Sequence, residues 1–196
     1  MRARLATTGG FALFGEVLLT GVAVALLALP LLTLPAALAA GIGHLRRYVD
    51  EQGSPYAALW RDARAAAAGG AVVAAAALLG AVAAVFAIGL AGADPTPAGT
   101  VMAVAGWLAL GLVATAVVLA AGAWTPDGGW RCAVRGLRDQ LDADLGAAVH
   151  VFVAVALTAV LTWQFLPLIV PSLGIVAFAV VAVRLRSRET LRDRGA

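Results

Sequence analysis

Apolar residues run along this chain in long blocks separated by short charged stretches. The first block, Phe11 to Gly43, would reach about 50 Å as one helix, too long for the ~30 Å hydrocarbon core of a bilayer. Something must break it. Pro30 and Pro35 are placed to do so, because each removes a backbone donor and disfavours helix at the residue before it. The pattern therefore predicts a first span over 11–29, a turn through Leu29-Pro30-Leu31-Leu32-Thr33-Leu34-Pro35, and a second helix over 35–50 ending in Arg46, Arg47 and Tyr48. That second helix is short for a span. It crosses only if its arginines snorkel to the interface, and is otherwise re-entrant or interfacial.

Further along, Ser54 and Pro55 read as an N-cap followed by a proline in the first helical position. The stretch 54–65 carries Tyr56, Leu59, Trp60 and Ala63 on one side, with Arg61, Asp62 and Arg64 elsewhere, and it leads into a span over 66–92. Gly92 to Pro97 is a turn without positive charge, which places it outside; a span over 99–124 then ends at Trp124, at a headgroup boundary. In 129–145, Trp130, Val134, Leu137, Leu141 and Leu145 recur at helical spacing and predict an amphipathic helix lying on the membrane or docked against a partner. Arg135 with Asp139 and Arg138 with Asp142 stand four apart, in the less favourable order for ion pairs. Two more spans, 146–165 and 168–183, are separated by Leu166-Pro167 and Pro171. The expected fold is all-α: one polytopic transmembrane helical bundle over 1–196, with about six helices and cytoplasmic amphipathic helices at 54–65 and 129–145.

Composition narrows the class. Hydrophobic residues make up 62% and charged residues 13%, against about 25% charged in soluble domains, and mean hydropathy is +0.94. A water-soluble globule is excluded. The net charge of +3 comes from fourteen basic residues, every one an arginine, clustered beside the apolar blocks. That placement follows the positive-inside rule, and six crossings with both termini cytoplasmic put all fourteen on one side, whereas five would leave Arg2 and Arg4 outside. Nucleic-acid binding would need these charges on one solvated face, so none is expected. The lone Cys132 allows no internal disulfide and reads as a reduced cytosolic thiol. Reading 1–40 as a signal peptide would require an apolar region well beyond the usual length.

Candidate chemistry is sparse. Glu16 is the one carboxylate well inside an apolar block, either lining a path for a cation, proton or polar solute, or paired near the interface with Arg2 or Arg4. Gln164, beside Trp163, could meet a polar ligand or anchor the helix end at the interface. His44 and His150 sit at helix ends and form no metal-ligand spacing, and neither a nucleophile elbow nor a Walker loop is present. No catalytic residue, cofactor or metal is expected. Small-residue rows such as Ala76, Gly80 and Ala84 permit close helix approach, including a homo-oligomer. The segment Leu29-Pro30-Leu31-Leu32 with Pro35 also echoes Leu166-Pro167-Leu168-Ile169 with Pro171, as related hairpins would.

The run from Leu29 to Ala40, followed by Arg46-Arg47-Tyr48 and then Tyr56-Ala57-Ala58-Leu59-Trp60-Arg61-Asp62-Ala63-Arg64, resembles the YesL-like family of small bacterial membrane proteins over about residues 10–90. The amphipathic stretch holds less phenylalanine than that family usually shows. The resemblance implies a multi-pass protein of the bacterial inner membrane, of poorly defined function and associated with carbohydrate ABC importers. It brings no catalytic residues. The expectation is a non-enzymatic protein in the lipid bilayer that assists a carbohydrate transporter, with Trp60, Trp130, Leu137 and Leu141 as docking residues for permease subunits. An EAA-type coupling loop, by which ABC permeases engage their ATPase, is missing, so the chain does not read as the permease. The alternative is an autonomous small-solute transporter or channel using Glu16 and the proline-broken helices.

Overall fold

The turn at Pro30 forms as its prolines require. A computed structural model of the chain describes residues 10–50, 55–165 and 168–194. Helix α1 (Gly10–Leu27) ends before Pro30, a 3-10 turn occupies Leu31–Thr33, and α2 (Leu34–Val49) runs back along α1. The Thr33 hydroxyl lies within hydrogen-bond reach of the Leu27 and Pro30 carbonyls and so satisfies acceptors that the end of α1 leaves open. Pro35 sits in the first turn of α2, where its missing N–H costs nothing.

Five further helices follow: α3 (Tyr56–Gly92), α4 (Pro97–Ala123), α5 (Gly129–Ala143), α6 (Leu145–Gln164) and α7 (Ile169–Arg194). The protein is all-helical, with about 90% helix and no strand among the described residues. Three helices, α3, α4 and α6, are long and apolar enough to cross a membrane, and α1 and α7 hold shorter apolar runs, Ala12–Leu27 and Ile169–Val183. In the most apolar stretches of α3, α4 and α6 only 11%, 22% and 6% of residues are buried within the chain. Leu79, Phe86, Val101, Trp107 and Leu157 point outward instead. So broad an outward apolar surface is stable in hydrocarbon and not in water.

Packing makes the undecided helix the central one. Ten of the sixteen residues of α2 are buried, from Pro35 to Leu45, with α1, α3, α4 and α7 around it. Leu38, Ile42 and Leu45 join Val24, Ala66, Val118, Ala121 and Val180 in one core. The crossing of α1 with α7 is closer still. A Cβ on Gly21 would stand 2.5 Å from the Val170 carbonyl oxygen, and Gly174 lies so near Val17 that it has no room for one either. These helices meet backbone to backbone, the packing mode that membrane interiors favour.

Several expected boundaries move. From Tyr56 the stretch 54–65 forms the first turns of α3, continuous with the span 66–92 that it is expected to lead into. Pro55 precedes α3 with extended backbone, outside the first turn, and Ser54 lies outside the described residues, as do Arg2, Arg4, Leu166 and Pro167. Helix α7 runs on through the arginine tail to Arg194, well past the expected end at 183. At the α3–α4 turn hydrogen bonding from the Thr96 side chain, and then from the Thr96 N–H at 2.9 Å, holds the Asp94 carboxylate below the ordinary aspartate range.

The stripe on α5 is also rotated from the expected one. Trp130 and Ala133 are buried and Leu137 packs against the core, whereas Val134 is 47% exposed and Leu145 belongs to α6 and is exposed. Alanine explains the shift, because Ala133 is small enough to let α5 lie close against α3 and α4. The pairs Arg135–Asp139 and Arg138–Asp142 do not form: the ion pairs among the described residues are His44–Glu16 and Arg47–Asp62.

Candidate functional site

Glu16 enters the bundle six residues past Gly10, on the face of α1 that meets the last turns of α2. Its Oε1 lies 2.6 Å from His44 Nε2, and the Tyr56 hydroxyl donates to the same oxygen at 3.3 Å. His44 is fully buried, and its ring lies 4.9 Å from that of Tyr56 between centroids, tilted by 30°. Three helices thus each place one polar group at a single point. With Nε2 protonated, buried His44 donates to the carboxylate, which then accepts two hydrogen bonds, the second from the exposed Tyr56.

A second polar pair adjoins this one. Arg47, three residues past His44, reaches Asp62 of α3 with Nη1 2.8 Å from Oδ2, and Asp62 is buried. Its Nε and Nη2 are buried too, with no hydrogen-bond partner among the described residues. Arg46 turns the other way and donates from Nη2 to the Gly122 carbonyl at 2.9 Å, meeting the negative end of α4. The last turn of α2 therefore ties α1, α3 and α4 together. Its two arginines do structural work inside the chain, beyond marking a membrane side.

Chemically, the Glu16–His44–Tyr56 group can hold a proton shared between carboxylate and imidazole, as intramembrane Glu and His pairs do in proton relays. It supplies one histidine and one carboxylate, and no cluster of three His, Cys, Asp or Glu side chains is present among the described residues. Gln164 is not part of it. Val17 and Gly21 pack on the first turns of α7, so α1 enters from the end opposite that where α6 finishes at Gln164. Gln164 and Trp163 are exposed there. His150 bonds within its own helix, Nδ1 lying 2.6 Å from the Gly146 carbonyl.

The four candidate docking residues divide. Trp60 is 48% exposed, with the Arg64 guanidinium stacked 4.7 Å above its ring. Trp130 turns inward, donates from Nε1 to the Ala66 carbonyl at 2.8 Å, and lies 6.4 Å from Trp124. Gly69 makes room for it, since a Cβ there would stand 2.5 Å from the indole. Leu137 packs on the core, and Leu141 is half-buried beside a 330 Å³ cavity between α5, α6 and α7.

Sequence reasoning singled out Glu16 but missed its partners His44 and Tyr56, and it missed the buried pair Arg47–Asp62. A signal was available. Once the turn at Pro30 folds α2 back along α1, the polar residue late in α2 must fall beside the polar residue early in α1. Comparison of the chain with protein-family models, curated proteins and solved structures returned no match.

Proposed function

We propose that the chain is a non-enzymatic, multi-pass protein of the bacterial inner membrane that serves as an accessory subunit beside a solute transporter, with a carbohydrate as the transported solute. In this reading α1, α2, α3, α4, α6 and α7 cross the bilayer, α5 lies on the cytoplasmic surface, and both termini are cytoplasmic. The arginine clusters support that orientation by the positive-inside rule. The resemblance of residues 10–90 to the YesL-like family supports the link to carbohydrate importers.

The observation that carries the accessory role is the exposed Trp60 with Arg64 stacked on it, near the arginine-bearing last turn of α2. Exposed tryptophan and arginine held in place are the side chains that dominate binding energy at protein interfaces. The groove beside α2 offers less for solute handling: its 310 Å³ is walled by aliphatic side chains such as Leu38, Leu110 and Val176, opens outward past exposed Leu31 and Leu78, and has one hydroxyl among the described residues, from Thr158. Affinity purification from native membranes tests the reading. Permease subunits should co-purify with the wild type and be lost with Trp60→Glu, and recovery of the bait alone sinks it.

One observation favours a second reading, an autonomous transporter coupled to protons. The Glu16–His44–Tyr56 group brings a carboxylate, a buried imidazole and a hydroxyl from three helices to one point. In proteoliposomes holding this protein alone, that reading requires solute flux that Glu16→Gln lowers.

A further inference from the structure

A groove of 710 Å³ runs between α3 and α4 and is closed at one end by α5. Its floor is made of small side chains, among them Gly69 and Ala76 on α3 and Ala116 and Ala120 on α4, which leave the space between the helices unfilled. Val72 on its edge is 71% exposed, so the groove opens onto the outward apolar surface of α3. Trp130 forms the end wall. Above that wall the chemistry changes abruptly, because Arg131 and Arg135 line the rim and both are exposed.

These arginines stand one helical turn apart, about 6 Å between Cβ atoms, so their side chains emerge on the same side of α5. Neither has an ion pair among the described residues. An aliphatic slot capped by two uncompensated guanidinium groups matches a molecule with a hydrocarbon tail and an anionic phosphate head. The guanidinium fork suits phosphate oxygens, and basic sites between membrane helices take such headgroups. A second copy of the chain fits less well, since the same face of its α5 would bring another arginine rim against this one.

We propose that this groove binds one anionic phospholipid, with an acyl chain lying between α3 and α4 and the phosphate between Arg131 and Arg135. The volume falls within the range of small-molecule sites, roughly 300–1,000 Å³. The site is independent of any transporter partner and of the Glu16 group.

Native mass spectrometry of the full chain in mild detergent, titrated with phosphatidylglycerol or phosphatidylethanolamine of identical acyl chains, tests this. The wild type should retain one phosphatidylglycerol per protomer in preference to phosphatidylethanolamine, by about tenfold or more given two arginines acting on one anionic head. Arg131→Gln with Arg135→Gln should abolish the preference. Arg61→Gln, exposed on the first turns of α3 and not lining the groove, should keep it. Because all three arginines are exposed, these variants fold, and an unchanged melting temperature verifies it. Equal retention of the two lipids by the wild type, an undiminished preference in the double variant, or a second protein copy in place of lipid would each overturn the proposal.

Discussion

His44 Nε2 stands 2.6 Å from Glu16 Oε1, a contact between residues 28 apart in sequence that joins the end of α2 to the start of α1. His44→Ala removes one donor from a carboxylate that is largely shielded, and Tyr56 keeps the other. The expected loss is about 3 kcal/mol, the low end of the range for breaking a buried pair. Glu16→Gln, which still offers a carbonyl acceptor, should cost about 1 kcal/mol. Unfolding in mixed detergent micelles measures both. Their combination should be non-additive by ~1–3 kcal/mol, and strict additivity would show that the contact contributes nothing.

The fastening of α5 is separable into a hydrogen bond and a volume. Trp130→Phe deletes the bond to the Ala66 carbonyl and should cost about 1 kcal/mol, whereas Trp130→Ala also empties the slot against Gly69 and should cost roughly 3–5 kcal/mol. Hydrogen exchange reports where the loss falls: amides of 129–143 should open in the alanine variant while those of α2 stay protected. Uniform loss of protection would mean that α5 is not an independent unit.

At the α1–α7 crossing, space and not chemistry sets the limit. Gly21→Ala or Gly174→Ala pushes a methyl group against backbone that cannot swing away, and should destabilise by ~1–3 kcal/mol. Gly15→Ala serves as the control, because nothing stands within 4 Å of its added Cβ. Thermal shift of the purified protein should separate the two kinds of glycine clearly. Equal melting temperatures would contradict the close approach.

Cys132 is exposed on α5 and provides a native reporter of sidedness. With six crossings it faces the cytoplasm, so an impermeant maleimide should label it only after cells are opened. Thr96→Cys, placed in the α3–α4 turn, should label in intact cells. Labelling of Cys132 from outside would reverse the orientation or remove one crossing.

Much of the helical layout was legible in the sequence, because proline position and apolar block length act locally. The breaks at Pro30 and at 93–96 and the amphipathic nature of α5 follow from rules that span a few residues. What was illegible depended on neighbours. Alanine in α2 is ambiguous, since Ala36, Ala37, Ala39 and Ala40 could face lipid or protein with equal ease; only the helices around them decide, and they bury all four. Arg46 and Arg47 read as membrane flanks by type, yet their partners Gly122 and Asp62 come from helices whose placement no local pattern fixes. Glu16 was legible as an anomaly, and its pairing was not, because Arg2 and Arg4 offered a nearer charge along the chain.

The meeting of Gly21 with Gly174 also constrains how the protein is made. Helix α1 is made early in synthesis, but its backbone partner emerges only with α7, the last described helix. Helix α2, short and ending in two arginines, is a weak insertion signal by itself. During translation, therefore, the glycine face of α1 must wait uncovered until α7 arrives, whereas Glu16 meets His44 and Tyr56 as soon as α2 and α3 are in place. A chain shortened before α7 would leave that seam open.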